Sequence, residues 1–106
     1  MKVLYASPNI NHHNIPIAES FVKILGESNF KYAVLQPKEK FRIKMGFNPE
    51  DEDKSWVICA YQNRECYSHF IHWIEESDIV LFSDRTLFSL MQKRIINNKL
   101  TFYFSE

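Results

Sequence analysis

The sequence predicts an α/β domain built on a five-stranded, mostly parallel sheet. Short apolar runs rich in β-forming residues alternate with amphipathic stretches of helical periodicity. The first run, residues 2–6, is apolar almost throughout, which is typical of a buried strand in a parallel sheet. A length of 106 residues allows one domain, residues 1–106.

The first strand, over residues 2–6, ends at the turn cluster that begins with Ser7 and Pro8. A polar loop follows, and a helix is expected from Ile15. Asn14 is a good N-cap residue, Pro16 is tolerated in the first turn, and Gly26 is a suitable C-terminal stop.

The second strand is expected over residues 30–35 and the third over residues 56–61. Between them, basic and apolar residues alternate over 37–45, which predicts one or two short helical turns. The acidic residues 50–53 then lie in a loop, and their spacing lacks the glycine and the terminal glutamate of a calcium-binding loop.

The remaining elements follow in the same alternation. An amphipathic helix is expected from near residue 63 to near residue 77, and a fourth strand over 79–82. A third helix is expected over 86–97, with Lys93 and Arg94 placed to complement the helix dipole. Asn97 and Asn98 end it, and a fifth strand covers 100–104.

This element order predicts a three-layer Rossmann-like domain with strand order 3-2-1-4-5 and helices on both faces. A doubly wound half usually continues into another helix after its fifth strand. The sequence is therefore expected to be the N-terminal half of a larger two-domain protein.

The composition argues against several classes of function. The 13 basic and 13 acidic side chains cancel, and no basic block occurs, which argues against nucleic acid as a partner. Only two glycines occur, so the chain lacks both the Gly-x-Gly-x-x-Gly dinucleotide motif and a P-loop. Cys59 and Cys66 are expected as reduced thiols, which favours a cytoplasmic location. No apolar run reaches the length of a membrane span.

A ligand site is expected where strand order reverses, beyond the carboxyl ends of strands one and four. The loops after these two strands, and the residues after strand five, carry polar side chains suited to hydroxylated ligands. Either histidine of the first loop could also act as a general base. The candidate residues are Asn9, Asn11, His12, His13 and Asn14, then Ser83, Asp84 and Arg85, and finally Ser105 and Glu106.

Simpler interpretations of these residues stay open. The first loop can be a hydrophilic connection whose asparagines form turns and a helix cap. Ser83 or Asp84 can cap the third helix, and Arg85 can hold an anionic or hydroxylated ligand at the start of that helix. His69 and His72 share a helix face but lack further ligands, so no metal site is expected.

Two segments carry a family resemblance. The opening Met1-Lys2-Val3-Leu4-Tyr5-Ala6-Ser7, followed by Asn11-His12-His13-Asn14-Ile15-Pro16 and a helix with Ala18-Glu19, resembles the start of bacterial glycosyltransferases of the GT-B architecture that build capsules and other polysaccharides. The stretch from Lys99 to Glu106 resembles their fifth strand and its exit.

The resemblance implies that this domain binds a glycan or lipid-linked acceptor, with His12 and His13 facing the cleft. It also implies a C-terminal half, outside these residues, that binds the nucleotide-sugar donor, and it implies no cofactor in this domain. The loop lacks the glycines that some members use after strand one, so backbone contact to a donor phosphate is not expected.

Two alternatives accompany this hypothesis. The chain can be a stand-alone, flavodoxin-like interaction module without catalysis, in agreement with its zero charge and lack of a strong catalytic motif. A small enzyme that acts on a phosphorylated ligand through Arg85 is the other, but no nucleophile accompanies that arginine. The basic and apolar segment 38–45 can touch the inner membrane surface or form a solvated short helix.

Overall fold

The computed structural model describes residues 1–8, 14–36 and 54–103. Within them, five parallel strands form one sheet in the order β3-β2-β1-β4-β5. The strands are β1 (Val3–Ser7), β2 (Phe30–Val34), β3 (Val57–Cys59), β4 (Ile79–Phe82) and β5 (Leu100–Tyr103). The predicted α/β class, sheet and strand order are confirmed.

Three α-helices are described: α1 (Ile15–Leu25), α2 (Arg64–Glu76) and α3 (Phe88–Ile96). The chain winds from the central strand β1 first towards β2 and β3 and then towards β4 and β5. Right-handed crossovers in two directions place α1 on one face of the sheet and α2 with α3 on the other.

Each face of the sheet has its own apolar core. The alternation of side chains along β1 sends Leu4 and Ala6 to one face and Val3 and Tyr5 to the other. Under α2 and α3 the buried set is Leu4, Ala6, Ala33, Ile58, Ala60, Phe70, Trp73, Ile74, Val80, Phe82, Leu87 and Met91. Under α1 it is Val3, Tyr5, Ala18, Phe30, Tyr32, Val34 and Trp56.

Two elements differ most from their predictions. β3 is shorter than expected, because the N–H of Gln62 donates to the carbonyl of Cys59 and turns the chain towards α2. The third helix opens with a 3₁₀ turn, Arg85–Leu87, in which the N–H of Leu87 donates to the carbonyl of Asp84. The predicted span 86–97 therefore combines a 3₁₀ turn with an α-helix.

The helix ends follow the sequence closely. Gly26 has a φ of 86°, and Asn98 after α3 has a φ of 59°, a left-handed conformation that Asn adopts more readily than most residues. Asn63 caps α2, since its Oδ1 accepts from the N–H of Cys66 at 2.8 Å. These stop and start signals were readable because they are local.

Three further findings concern the sequence predictions. Cys59 and Cys66 are both free thiols. In the part of the chain described, no helix has the length and apolar character needed to cross a bilayer. The segments expected as short helical turns, 37–45, and as an acidic loop, 50–53, lie outside the described residues.

Candidate functional site

The topology places the reversal point of the sheet between β1 and β4. From β1 the chain continues to β2 on one side of this point, and from β4 it continues to β5 on the other side. The N–H of Leu35, after β2, donates to the carbonyl of Ser7 at 3.2 Å, and the N–H of Ser83, after β4, donates to the carbonyl of Ala6 at 3.1 Å. The carboxyl ends of β1, β2 and β4 therefore lie together at this edge of the sheet, as expected for a ligand site.

On the α1 face of this edge lies a buried hydroxyl and amide group, here called the tyrosine cluster: Tyr5, Ser7, Asn14 and Tyr32. The hydroxyl of Tyr32 lies 2.6 Å from Ser7 Oγ and accepts from Asn14 Nδ2 at 3.1 Å. The Tyr5 hydroxyl donates to Asn14 Oδ1 at 3.4 Å, and the two tyrosine rings stack at 4.9 Å. The cluster ties the start of α1 to the two central strands.

Asn14 therefore acts differently from the prediction. It occupies the N-cap position of α1, and its carbonyl accepts from the N–H of Ala18, but its side chain makes no capping bond. Its amide reaches buried tyrosine hydroxyls instead, because a buried hydroxyl needs a hydrogen-bond partner. Only 7% of Asn14 is exposed, so its described surroundings give it a positioning role.

On the opposite face the same edge opens into a cavity of about 350 Å³, here called the edge cleft. Its walls come from the end of β2, the second turn of α2, the 3₁₀ turn and the start of α3. Apolar residues and uncharged polar residues alternate in it, with one carboxylate. The lining residues are Leu35, Gln36, Tyr67, Asp84, Thr86, Leu87, Ser89 and Leu90.

Asp84 caps the 3₁₀ turn and also lines the edge cleft. Its Oδ1 accepts from the backbone N–H of Thr86 at 2.9 Å and from Thr86 Oγ1 at 2.8 Å, so it caps the 3₁₀ turn, as the sequence predicted for Ser83 or Asp84. Within the described residues, Asp84 Oδ2 accepts no hydrogen bond. That oxygen is available to a ligand hydroxyl.

Arg85 does not line the edge cleft, and its side chain extends towards β5. Its side chain is exposed, and its Nε donates to the hydroxyl of Tyr103 on β5 at 3.4 Å. Ser83 is half-buried beside β1. The structure thus separates three neighbouring candidates, because the 3₁₀ turn rotates Arg85 away from Asp84.

The other candidates, Asn9, Asn11, His12, His13, Ser105 and Glu106, lie outside the described residues. Their assignment stays a prediction. The described strand ends bracket them: Pro8 follows β1 at this edge, and its carbonyl accepts from the N–H of Gln36, a cleft residue, at 2.9 Å.

Sequence reasoning missed most of the cleft. Tyr67 lies near the start of α2, where 46% of it is exposed, and its ring meets Phe70 edge-on at 6.1 Å. Gln36, Thr86 and Ser89 carried no motif. One signal was available: a helix that follows a parallel strand begins at the carboxyl edge, so its first turns lie beside any site there.

A second groove, of about 360 Å³, runs between α2 and α3. It shares Ser89 and Leu90 with the edge cleft and extends along the helices to Lys99, just before the amino end of β5. Arg94 beneath it is engaged with backbone carbonyls. Its lining residues include Ile71, Glu75, Lys93 and Lys99. The edge cleft is the better candidate because of its place at the reversal point.

The histidine pair of α2 makes contacts within its own helix. Trp73 Nε1 donates to His69 Nε2 at 3.1 Å, and His72 Nε2 lies 3.5 Å from Glu76 Oε2. Burial lowers the pKa of His69, and the charges of Lys31 and His72 lower it further. Among the residues described, no three His, Cys, Asp or Glu side chains gather to hold a metal ion.

Comparison with protein-family models, with curated proteins and with solved structures finds no match for this chain. The geometry assigns it to a fold class alone. It is a Rossmann-like α/β domain whose parallel strands run in the order 3-2-1-4-5.

Proposed function

We propose that this domain is the acceptor-binding, N-terminal half of a glycosyltransferase. The full protein would transfer a sugar from a nucleotide-sugar donor to a glycan or lipid-linked acceptor, at the inner face of the membrane or in the cytoplasm. The observation that carries the proposal is the edge cleft, a cavity at the reversal point of the sheet that is lined by apolar residues, uncharged polar residues and one carboxylate.

The chemistry of the cleft suits a sugar. Carboxylate, amide and hydroxyl groups hydrogen-bond to sugar hydroxyls, and Asp84, Gln36 and Ser89 supply one of each. The exposed ring of Tyr67 offers a flat surface to the apolar face of a pyranose. A volume of about 350 Å³ accommodates one or two sugar units, at the lower end of the range for small-ligand sites.

The charge of the cleft favours a protein in which one half binds the acceptor and the other half binds the donor. No lysine or arginine lines it among the described residues, and its one ionisable carboxylate is negative. A nucleotide diphosphate would find no counter-charge there. The donor is therefore assigned to a C-terminal half and the neutral acceptor to this domain.

The residues that would act on the acceptor hydroxyl are His12 or His13, as general base. Asn9, Asn11, Ser105 and Glu106 would add acceptor contacts beside the cleft. A general base contributes about 10²- to 10⁴-fold to the rate, so His12→Ala or His13→Ala should lower kcat by a factor in that range.

The test is sugar transfer by the native, full-length protein, followed by mass spectrometry of the products. Tyr67→Ala should raise the KM for the acceptor about 10-fold, equal to about 1.4 kcal/mol of lost binding, and leave the KM for the donor unchanged. Ser68→Ala is the matched control, because Ser68 is exposed on the same helix and does not line the cleft.

Two results would contradict the proposal. An unchanged acceptor KM in Tyr67→Ala would remove the edge cleft from the acceptor site. A native protein with an intact mass of 12.7 kDa would have no donor-binding half, and the non-catalytic module would replace the enzyme as the working hypothesis.

A further inference from the structure

We infer that the outer edge of β5 is an interface with a second copy of this chain. The two β5 strands would pair antiparallel across a two-fold axis and join both sheets into one. This inference rests on the edge of the sheet and does not depend on the proposed function.

The first observation is the unprotected edge. Among the described strands, β5 is hydrogen-bonded to β4 alone, so no described strand pairs with its other side. Edge strands in monomeric proteins are usually guarded by a lysine, a proline or a bulge. The sequence of β5, Leu-Thr-Phe-Tyr, carries none of these guards.

The second observation is the apolar surface on both sides of this edge. On the α1 face, Leu100 and Phe102 continue the row of Ile79 and Leu81 but are 56% and 49% exposed. α1 does not cover them, since it packs over β1 and β2.

On the α3 face, the exposed rings of Tyr103 and Phe88 lie 4.9 Å apart. Ile95, which is also exposed, is seven residues from Phe88 and therefore on the same side of α3. The edge is thus apolar above and below the strand.

The third observation is the direction of the nearby charges. Lys99, just before β5, reaches the carbonyl of Glu75 on α2 with its Nζ at 2.6 Å. Arg94 is buried, and Lys93 lines the groove between α2 and α3. Among the described residues, only Arg85 brings a charge to the edge, and it bonds to Tyr103.

These observations favour a second copy over a charged partner. A two-fold axis brings each surface against itself, so an apolar edge is self-complementary. The charge of Arg85 lies at the Tyr103 end of β5. An antiparallel pair puts the two Tyr103 ends at opposite ends of the interface, so the two arginines stay apart. An antiparallel pair related in this way keeps the same faces together. Phe102 and Leu100 of one copy would then pack beside those of the other.

The exposed area at the edge of β5 indicates how tightly the dimer should bind. Five half-exposed side chains of this size offer roughly 500 Å² per copy. With the strand backbone added, this approaches about 600 Å² per partner, the low end of specific interfaces. The dimer should therefore be weak, with a dissociation constant in the micromolar range.

The test is sedimentation velocity of the 106-residue chain over a range of concentrations. The chain should form a dimer, and Phe102→Lys should raise the dissociation constant at least 10-fold, since it places a charge on both sides of the axis. Ile24→Lys is the matched control, because Ile24 is more exposed than Phe102 but lies on α1. Circular dichroism confirms that each variant is folded.

Amide hydrogen exchange identifies the surface. Slower exchange in β5 at higher concentration, with β3 unchanged, supports edge pairing. A chain that stays monomeric at millimolar concentration overturns the inference. So does a dimer whose β5 amides exchange at the same rate as in the monomer, because such a dimer uses another surface.

Discussion

Among single residues, Tyr32 places a polar hydroxyl in a fully buried position. It is fully buried in the central sheet, yet its hydroxyl contacts both Ser7 Oγ and Asn14 Nδ2. Tyr32→Phe removes that hydroxyl and leaves two buried polar groups with one partner fewer. We expect a loss of about 1–3 kcal/mol in the free energy of unfolding, measured by urea denaturation.

The control for Tyr32 is its stacked neighbour. Tyr5→Phe removes a hydroxyl whose bond to Asn14 is longer, at 3.4 Å, and keeps the ring contact. It should cost less than Tyr32→Phe. Equal losses in the two variants would contradict this ranking, because the Tyr32 hydroxyl would then contribute no more than the Tyr5 hydroxyl.

We expect His69 to make the stability of the protein depend on pH. Burial and nearby positive charge lower its pKa in the folded state, so protonation favours the unfolded chain. The stabilisation is fully present above the ordinary histidine value of about 6.5 and is lost as the pH falls through the lowered folded value. Protonation also ends the bond that Nε2 accepts from Trp73.

The measurement is the free energy of unfolding as a function of pH. His69→Gln should flatten the fall in stability below about pH 6.5. His72→Gln should alter the profile less than His69→Gln, since the charge of His72 is the smallest of the three causes that lower the His69 pKa. A wild-type profile that His69→Gln leaves unaltered would contradict the assignment.

Among the elements, the contacts of Arg94 join α2, α3 and β5. It is only 3% exposed, and its Nη1 donates to the carbonyls of Ile74 and Ser77, each at 2.6 Å. Its Nη2 donates to the carbonyl of Leu100 at 2.8 Å and its Nε to Thr101 Oγ1 at 3.0 Å. Burial lowers the pKa of Arg94, but the guanidinium stays charged because its ordinary value lies above ~12.

Replacing Arg94 should therefore loosen several elements at once. Arg94→Met keeps much of the volume but removes every donor, and we expect a loss of about 3 kcal/mol or more in the free energy of unfolding. Lys93→Met, one residue away on the exposed side of α3, should change stability little. Equal urea midpoints for Arg94→Met and the wild-type protein would exclude this role.

The Arg94 network also shows where sequence reasoning stops. Lys93 and Arg94 both suited the C-terminal dipole of α3, and nothing in the sequence distinguishes the two residues. Arg94 is buried and Lys93 is exposed, because the carbonyls at the end of α2 and the start of β5 come together under one face of α3. That arrangement exists only in the folded chain.

For the whole molecule, the fold was predictable and the site only in part. Alternating periodicity gave the strands, and the parallel crossovers gave their order, since few topologies satisfy both. Asp84, which lines the edge cleft, was a predicted site residue because it follows a strand at the reversal point. Tyr67, Gln36 and Ser89 were not, because they come from three elements that the sequence separates and that only packing brings together.

The anchoring of the N-terminus has a practical consequence. The backbone N–H of Lys2 donates to Asp78 Oδ2 at 2.8 Å, and its carbonyl accepts from the N–H groups of Asp78 and Ile79. Met1 therefore leaves the molecule beside the amino ends of the strands, opposite the edge cleft. A fluorophore or a biosensor linkage attached at Met1 would hold the protein with the cleft facing the analyte and would leave the sides of the sheet unobstructed.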